Sequence, residues 1–370
     1  MKPFNSLLLL ATGFLWAAWM DPRLFGALPP ERWIAATNAE TVFIGLALLH
    51  LSVQTLNLEP SASRREVRLI TAGVVFYGFG AAAIPFFPDA AVMTVAGSAL
   101  GLVGYGTLAR RFTDRRLMLG LIATGMALDV LITFAAIHLS GLPFGPEDGM
   151  PLRMLRLARV ACFALPILCF LGEDLWKDDV SRLARWGAGS LILGAVSMPM
   201  ALTLAALVHP ALKYLLPVPA IAAFVGVILA AGRSFKHAQR LEQWGWILVG
   251  LSMAVGLMMG GYAFNGPLPA PPGLGSYADP ARRLMRLAHT DAILLGITAI
   301  FVSRHLFRLR NRSPWPPLVT LLAAAGTLLT VGALVARMFY SFPIALLAAG
   351  PLIVAAGLFL ESALVREYPH

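Results

Sequence analysis

Long apolar runs, separated by short polar segments, dominate the pattern of this sequence. An α-helix needs about 17–25 apolar residues to cross a bilayer, and twelve runs of that kind follow one another along the chain. They cover residues 4–20, 34–57, 67–86, 89–109, 117–140, 153–173, 185–208, 212–232, 242–263, 284–305, 317–337 and 341–363. The pattern predicts an all-α, polytopic protein of about twelve transmembrane helices, embedded in the lipid bilayer.

Composition and charge support this prediction. Of the 370 residues, 58% are hydrophobic and 13% are charged, whereas a soluble domain has about 25% charged residues. The net charge is +10, but the basic residues gather in alternate loops, as in 64–68, 110–116, 177–185, 233–240 and 304–312. The positive-inside rule makes these loops, and both termini, cytoplasmic. We therefore expect a bacterial-type inner membrane protein, and the basicity does not indicate a nucleic-acid partner.

An internal repeat organises the chain. Two Gly/Pro-rich connectors, 141–152 and 264–281, lead into helices that open with arginines. Aligning the LRLA sequence at 155–158 with the MRLA sequence at 285–288 places Arg159 on His289. A weaker copy at 29–45 places Asn38 on His289 and Glu40 on Asp291. Repeats of one orientation predict three four-helix units, about 1–112, 113–240 and 241–370, around a pseudo-threefold axis along the membrane normal.

Ionisable residues inside these helices are the candidates for chemistry, because charge within a bilayer is costly and usually functional. His289 and Asp291 lie one and a half to two turns inside the tenth predicted helix, and the repeat puts Asn38, Glu40 and Arg159 at a similar depth. His138 and His209 end two other helices on the same predicted face. These groups form either a structural polar network or a pocket for a cofactor or substrate.

The tenth helix carries Ala288-His289-Thr290-Asp291 followed by Gly296. With twelve helices in three units, this segment resembles the catalytic subunit of haem–copper oxidases and their smaller NnrS-type relatives, which are linked to nitric oxide stress. The resemblance implies a respiratory or nitric-oxide-related role. It also implies that His289 is an axial ligand of haem b, that Arg283 and Arg286 are propionate partners, and that His138 or His209 is the opposite ligand.

The departures from that family narrow the expectation. Asp291 replaces the family's second histidine, Asn38 stands where a haem ligand is expected, and Arg159 stands where a copper ligand is expected. The seventh helix also lacks the family's pair of adjacent histidines. We therefore expect at most one haem b and no copper-dependent oxidase or reductase activity, and the sequence leaves open whether the protein is an enzyme.

Asp129 is a separate candidate near the middle of the fifth helix. No Lys or Arg lies within several turns of it on that helix, so we expect an unpaired, protonated carboxyl group, with Tyr77 and Tyr105 as partners. It is either a structural hydrogen-bonding group or a proton or cation site. In the second case the protein is a permease for a small or anionic solute, with Asp129 as the coupling carboxylate. Its entrance would be a stripe of outer arginines, which are Arg153, Arg156, Arg159, Arg282, Arg283 and Arg286.

A third hypothesis makes the chain an accessory or assembly subunit whose outer arginine-rich collar docks a partner in a membrane complex. Motifs for other chemistry are missing from the sequence, including a phosphate-binding loop, a zinc-protease motif and a Cys-x-x-Cys-His haem attachment motif. The sequence therefore gives no support for ATP-driven transport or covalent haem.

Overall fold

The protein is described from a computed structural model. The described residues are 4–26, 41–52, 64–84, 86–138, 149–177, 179–263, 268–272, 274, 279–309, 313–340 and 344–367. Within these ranges all regular structure is helical, and no β-strand occurs. The prediction of an all-α protein is therefore confirmed.

Twelve α-helices lie within the described residues. They are α1 Phe4–Gly26, α2 Thr41–Ser52, α3 Arg64–Ala83, α4 Ala91–Arg111, α5 Arg116–His138, α6 Met150–Trp176, α7 Arg182–Leu207, α8 Pro217–His237, α9 Arg240–Tyr262, α10 Pro280–Leu309, α11 Pro316–Phe339 and α12 Ala349–Glu367. The ten helices from α3 to α12 are each part of a span long and apolar enough to cross a membrane. The chain is thus a multi-pass helical membrane protein, and its threefold arrangement stays a prediction.

The helices group into two compact units. The first unit runs from Ile34 to Gly226 and contains α2 to α7 with the first part of α8. Within it α3 packs against α4, α4 against α5, α5 against α6 and α6 against α7. The second unit combines residues 2–33 with Val227–His370. In this unit α9 packs against α10, α10 against α11 and α11 against α12, while α12 also packs against α1.

Glycines let neighbouring helix backbones approach closely in both units. A Cβ atom added to Gly97 of α4 would lie 2.6 Å from the Gly73 carbonyl oxygen of α3. One added to Gly245 of α9 would lie 2.6 Å from the Gly296 carbonyl oxygen of α10. Because lipid tails are as apolar as the helices, such close van der Waals packing is a main source of association between membrane helices.

Ion pairs join helix ends on the face that the sequence predicts to be cytoplasmic. Arg111 of α4 lies 3.1 Å from Glu66 of α3, and Arg304 of α10 lies 2.7 Å from Glu242 of α9. The two glutamate side chains are 5% and 8% exposed. Some basic residues that were assigned to topology alone therefore also hold adjacent helices together.

Candidate functional site

A fully buried ionic cluster lies at the centre of the first unit. The carboxylate of Asp129 on α5 has no exposed surface, and the Arg159 side chain on α6 is 5% exposed. The Nη1 group of Arg159 donates a short hydrogen bond to Oδ1 of Asp129. Ser98 of α4 donates from Oγ to Oδ2 of the same carboxylate at 2.5 Å. Three consecutive helices thus meet at one carboxylate.

A tyrosine from a fourth helix completes the cluster. Tyr77 of α3 is buried, and its hydroxyl hydrogen-bonds with the Asp129 side chain. The hydroxyl of Tyr105 on α4 is also buried, but it has no hydrogen-bond partner among the described residues. The prediction that Tyr77 is a partner of Asp129 is therefore confirmed, and the same prediction for Tyr105 is wrong.

The prediction that Asp129 has no cationic partner is wrong. It considered only the charges on α5, whereas the partner comes from the next helix. Asp129 lies nine residues before the end of α5 (138 − 129), and Arg159 lies nine residues after the start of α6 (159 − 150). In an antiparallel pair of helices, residues equally far from the connection lie at the same height. The equality holds only for the helix ends of the structure, because the spans predicted from the sequence, 117–140 and 153–173, place the two residues 11 (140 − 129) and 6 (159 − 153) residues from the connection.

Arg159 keeps one edge of its guanidinium unused. Its Nε and Nη2 atoms are buried and have no hydrogen-bond partner within the described structure, while Nη1 is engaged with Asp129. Nε and Nη2 form the side-on fork with which arginine binds carboxylate and phosphate oxygens in a bidentate way. A buried donor without an acceptor costs about 1–3 kcal/mol, and more when it is charged. The cluster is therefore suited to receive an anionic group at this edge.

The second unit contains the other predicted centre, His289 on α10. Its Nδ1 lies 2.8 Å from the carbonyl oxygen of Ser252 on α9. The Ser252 hydroxyl in turn donates to the His289 carbonyl oxygen at 2.6 Å. Because a carbonyl oxygen only accepts hydrogen bonds, the neutral ring carries its proton on Nδ1 and its lone pair on Nε2.

A glycine makes room for this histidine. A Cβ atom added to Gly256 of α9 would lie 2.6 Å from Cε1 and 3.2 Å from Nε2 of His289. Without a side chain at this position, the α9 backbone lies directly against that edge of the imidazole. The unprotonated Nε2 and the anchored Nδ1 are the arrangement that histidine ligands of metals use. Among the described residues, no group of three or more His, Cys, Asp and Glu side chains could hold a metal ion.

The arginines at the start of α10 belong to the same unit as His289. The Arg282 guanidinium lies over the Tyr262 ring, 5.2 Å from its centroid. Arg283, Arg286 and Asp291 are partly buried. The arginines are therefore neither fully buried nor freely extended, and they lie on the helix that carries His289.

The other predicted site residues have different surroundings. His209 lies in the first unit, where its Nδ1 accepts a hydrogen bond from the Ala211 backbone N–H at 3.2 Å and caps the 3-10 helix Pro210–Leu215. His138 ends α5, but its side chain lies outside the described part of the chain, as do Asn38 and Glu40. Their roles stay predictions.

The positions matched by the repeat share a geometric feature. Arg159 and His289, aligned in the sequence, each bind a polar group on the helix that precedes their own. Arg159 binds the Asp129 side chain and His289 binds the Ser252 carbonyl. The two copies thus use the same position for different partners. No protein-family model matches this chain, and no curated protein does either.

Proposed function

We propose that the protein is a permease for a small anionic solute, which binds to the unused edge of Arg159. A single observation carries this proposal: the buried Arg159 has two donor nitrogens without an acceptor among the described residues. Ionisable groups buried within a membrane protein mark solute and proton routes by default. A monocarboxylate, with two coplanar oxygens, matches the Nε–Nη2 fork best.

The charge balance of the site gives Asp129 its role. Asp129 and Arg159 together are neutral, and a bound anion would leave one uncompensated negative charge in a low-dielectric environment. That charge costs several kcal/mol unless a proton neutralises it. The proton goes to the Asp129 carboxylate, because a like charge beside it favours its protonated form. The anion and one proton are then carried together without net charge.

Ligand-induced thermal stabilisation of the purified chain in detergent tests anion binding. The ligands are acetate, lactate, nitrate and inorganic phosphate, supplied as salts of one cation at constant ionic strength. We expect at least one carboxylate to raise the melting temperature of the wild type, because a ligand that binds only the folded state stabilises it by mass action.

Two variants locate that binding. Arg159→Lys keeps the positive charge beside Asp129 but removes the fork, so we expect it to fold and to lose the stabilisation. Arg185→Gln removes one exposed charge at the start of α7 and should leave the stabilisation unchanged. An Arg159→Lys protein that is stabilised as strongly as the wild type would contradict the proposed site.

The geometry at His289 favours a second candidate function, the binding of one haem b. The ring has an anchored Nδ1 and an unprotonated Nε2, and Arg283 and Arg286 lie within two turns on the N-terminal side of the same helix. A haem held there would supply one-electron redox chemistry, consistent with the resemblance to haem–copper oxidases. The residues of the chain would bind the iron through Nε2 and neutralise the propionates.

An absorbance spectrum tests this second candidate. Protein purified from haem-supplemented cells should show a Soret band that is lost in His289→Ala. The band should persist in His237→Ala, which changes an exposed histidine at the end of α8. A wild-type protein without a Soret band would refute the haem candidate and leave the Arg159 proposal untouched.

A further inference from the structure

A second fully buried carboxyl group lies in the second unit, apart from the residues discussed so far. Glu361 of α12 is 0% exposed, and neither of its carboxyl oxygens has a hydrogen-bond partner among the described residues. The nearest ionisable group is His305 of α10, whose Nδ1 lies 3.7 Å from Oε1 of Glu361. The His305 side chain is 3% exposed. This is the most weakly satisfied carboxyl group in the described structure.

Among the described side chains, the helices around Glu361 supply no further charge to it. The described side chains of α1, Phe4–Ala18, contain no ionisable residue. The only ionisable residue of α11 is Arg337, in its last turn, where it binds the Tyr340 carbonyl oxygen. The 3-10 helix Ile344–Ala348 also contains no ionisable residue. On α10, Arg304 is directed to Glu242 of α9.

The surroundings of Glu361 therefore favour a proton as the cation that neutralises its carboxyl group. An isolated carboxylate in a medium of low dielectric constant is too costly to persist, and buried groups of this kind neutralise instead. A distance of 3.7 Å exceeds a direct hydrogen bond, but a small side-chain rotation or one bridging water would join the two groups. A larger cation would need several oxygen ligands, and the described residues offer only this carboxylate.

We propose that Glu361 and His305 form a proton-binding site, independent of the proposed anion site. Its resting state holds one exchangeable proton on the Glu361 carboxyl group, beside a neutral imidazole, so that the pair is neutral overall. Proton transfer moves that proton from the Glu361 oxygen to Nδ1 of His305, and no other bond changes. His305 lies four residues before the end of α10 (309 − 305), about 6 Å along the helix axis, so water at that end is close.

Infrared spectroscopy of the full chain in lipid nanodiscs tests the site. At pH 7 a solvent-exposed glutamate is ionised, so a protonated carboxyl group gives a distinct C=O stretching band that shifts in D₂O. We expect such a band in the wild type and its loss in Glu361→Gln. The band should persist in Glu242→Gln, because Glu242 is paired with Arg304 and is not part of the proposed site.

His305→Gln provides the second readout. If the proton is shared, loss of the imidazole changes the hydrogen bonding of the carboxyl group, and the frequency of the Glu361 band should move. An unchanged frequency would overturn the proposed pairing. Identical spectra of the wild type and Glu361→Gln would overturn the site itself. Should Glu361→Gln fail to fold, the shift in His305→Gln decides the question.

Discussion

The pair formed by Asp129 and Arg159 allows a sharp prediction about stability. Both side chains are almost completely buried, at 0% and 5% exposure. Removing one partner of such a pair leaves an uncompensated buried charge and costs about 3–5 kcal/mol. Replacing both with apolar residues of similar volume is neutral or stabilises by about 1–4 kcal/mol. The single variants should therefore be far less stable than the double variant.

A double-mutant cycle measures this difference. The variants are Asp129→Leu, Arg159→Met and the two combined, and their unfolding is followed by circular dichroism in mixed micelles with increasing denaturing detergent. We expect each single variant to lose about 3–5 kcal/mol and the double variant to unfold close to the wild type. The exposed Arg185→Met should change the stability by less than about 0.5 kcal/mol.

Additive losses of stability would contradict the ion pair between Asp129 and Arg159. If the losses of the two single variants simply add in the double variant, the side chains act independently and the ion pair does not exist as described. A double variant that is stable but no longer stabilised by anions would separate the two roles of the cluster. In that case the pair contributes binding, and the fold does not depend on it.

Two further contrasts test the packing and the ion pairs. Gly97→Ala should destabilise the protein by about 1–3 kcal/mol, because the new Cβ would meet backbone atoms at 2.6 Å. At Gly106 an added Cβ has nothing within 4 Å, so Gly106→Ala should be neutral or slightly stabilising. Thermal melts in detergent compare the two variants. The Glu242 side chain is 8% exposed, and Glu242→Gln should lower the stability by about 1–3 kcal/mol. The Asp114 side chain is 76% exposed, and Asp114→Asn should lower the stability by less than about 0.5 kcal/mol. Equal melting temperatures of the two variants would contradict this difference.

The helices were predictable from the sequence because each depends on its own run of apolar residues. The span predicted at 185–208 became α7, Arg182–Leu207, and the one at 242–263 became α9, Arg240–Tyr262. Larger differences arose where proline sets the start of a helix. The span predicted at 212–232 became α8, which begins at Pro217 after a 3-10 helix, since proline is suited to the first turn of a helix.

The candidate site was predictable only in part, because its residues are brought together by packing between helices. Asp129, Arg159 and Tyr77 were each singled out, but the sequence pattern assigned Arg159 to an outer stripe of arginines and left Asp129 unpaired. Ser98 and Ser252 gave no signal, since a single serine in an apolar helix usually binds its own backbone. Glu361 and His305 were not among the predicted site residues, because their proximity depends on the packing of α10 and α12.

The structure also changes the order of the hypotheses. From the sequence alone, the resemblance to haem–copper oxidases favoured the haem hypothesis. The buried guanidinium of Arg159, whose Nε and Nη2 lack an acceptor among the described residues, now gives the permease hypothesis a defined binding group. The haem hypothesis retains His289 with one anchored nitrogen, and its second axial ligand stays a prediction.

Proton-coupled anion uptake tests the proposed permease function directly. Proteoliposomes with a trapped pH-sensitive dye receive an inward gradient of the carboxylate that stabilises the purified protein best. The wild type should acidify the lumen faster than protein-free vesicles. Asp129→Asn should bind the anion without moving protons, and Arg159→Lys should do neither. Wild-type vesicles that acidify no faster than protein-free vesicles would contradict the proposed permease function. Acidification by Asp129→Asn at the rate of the wild type would contradict it as well.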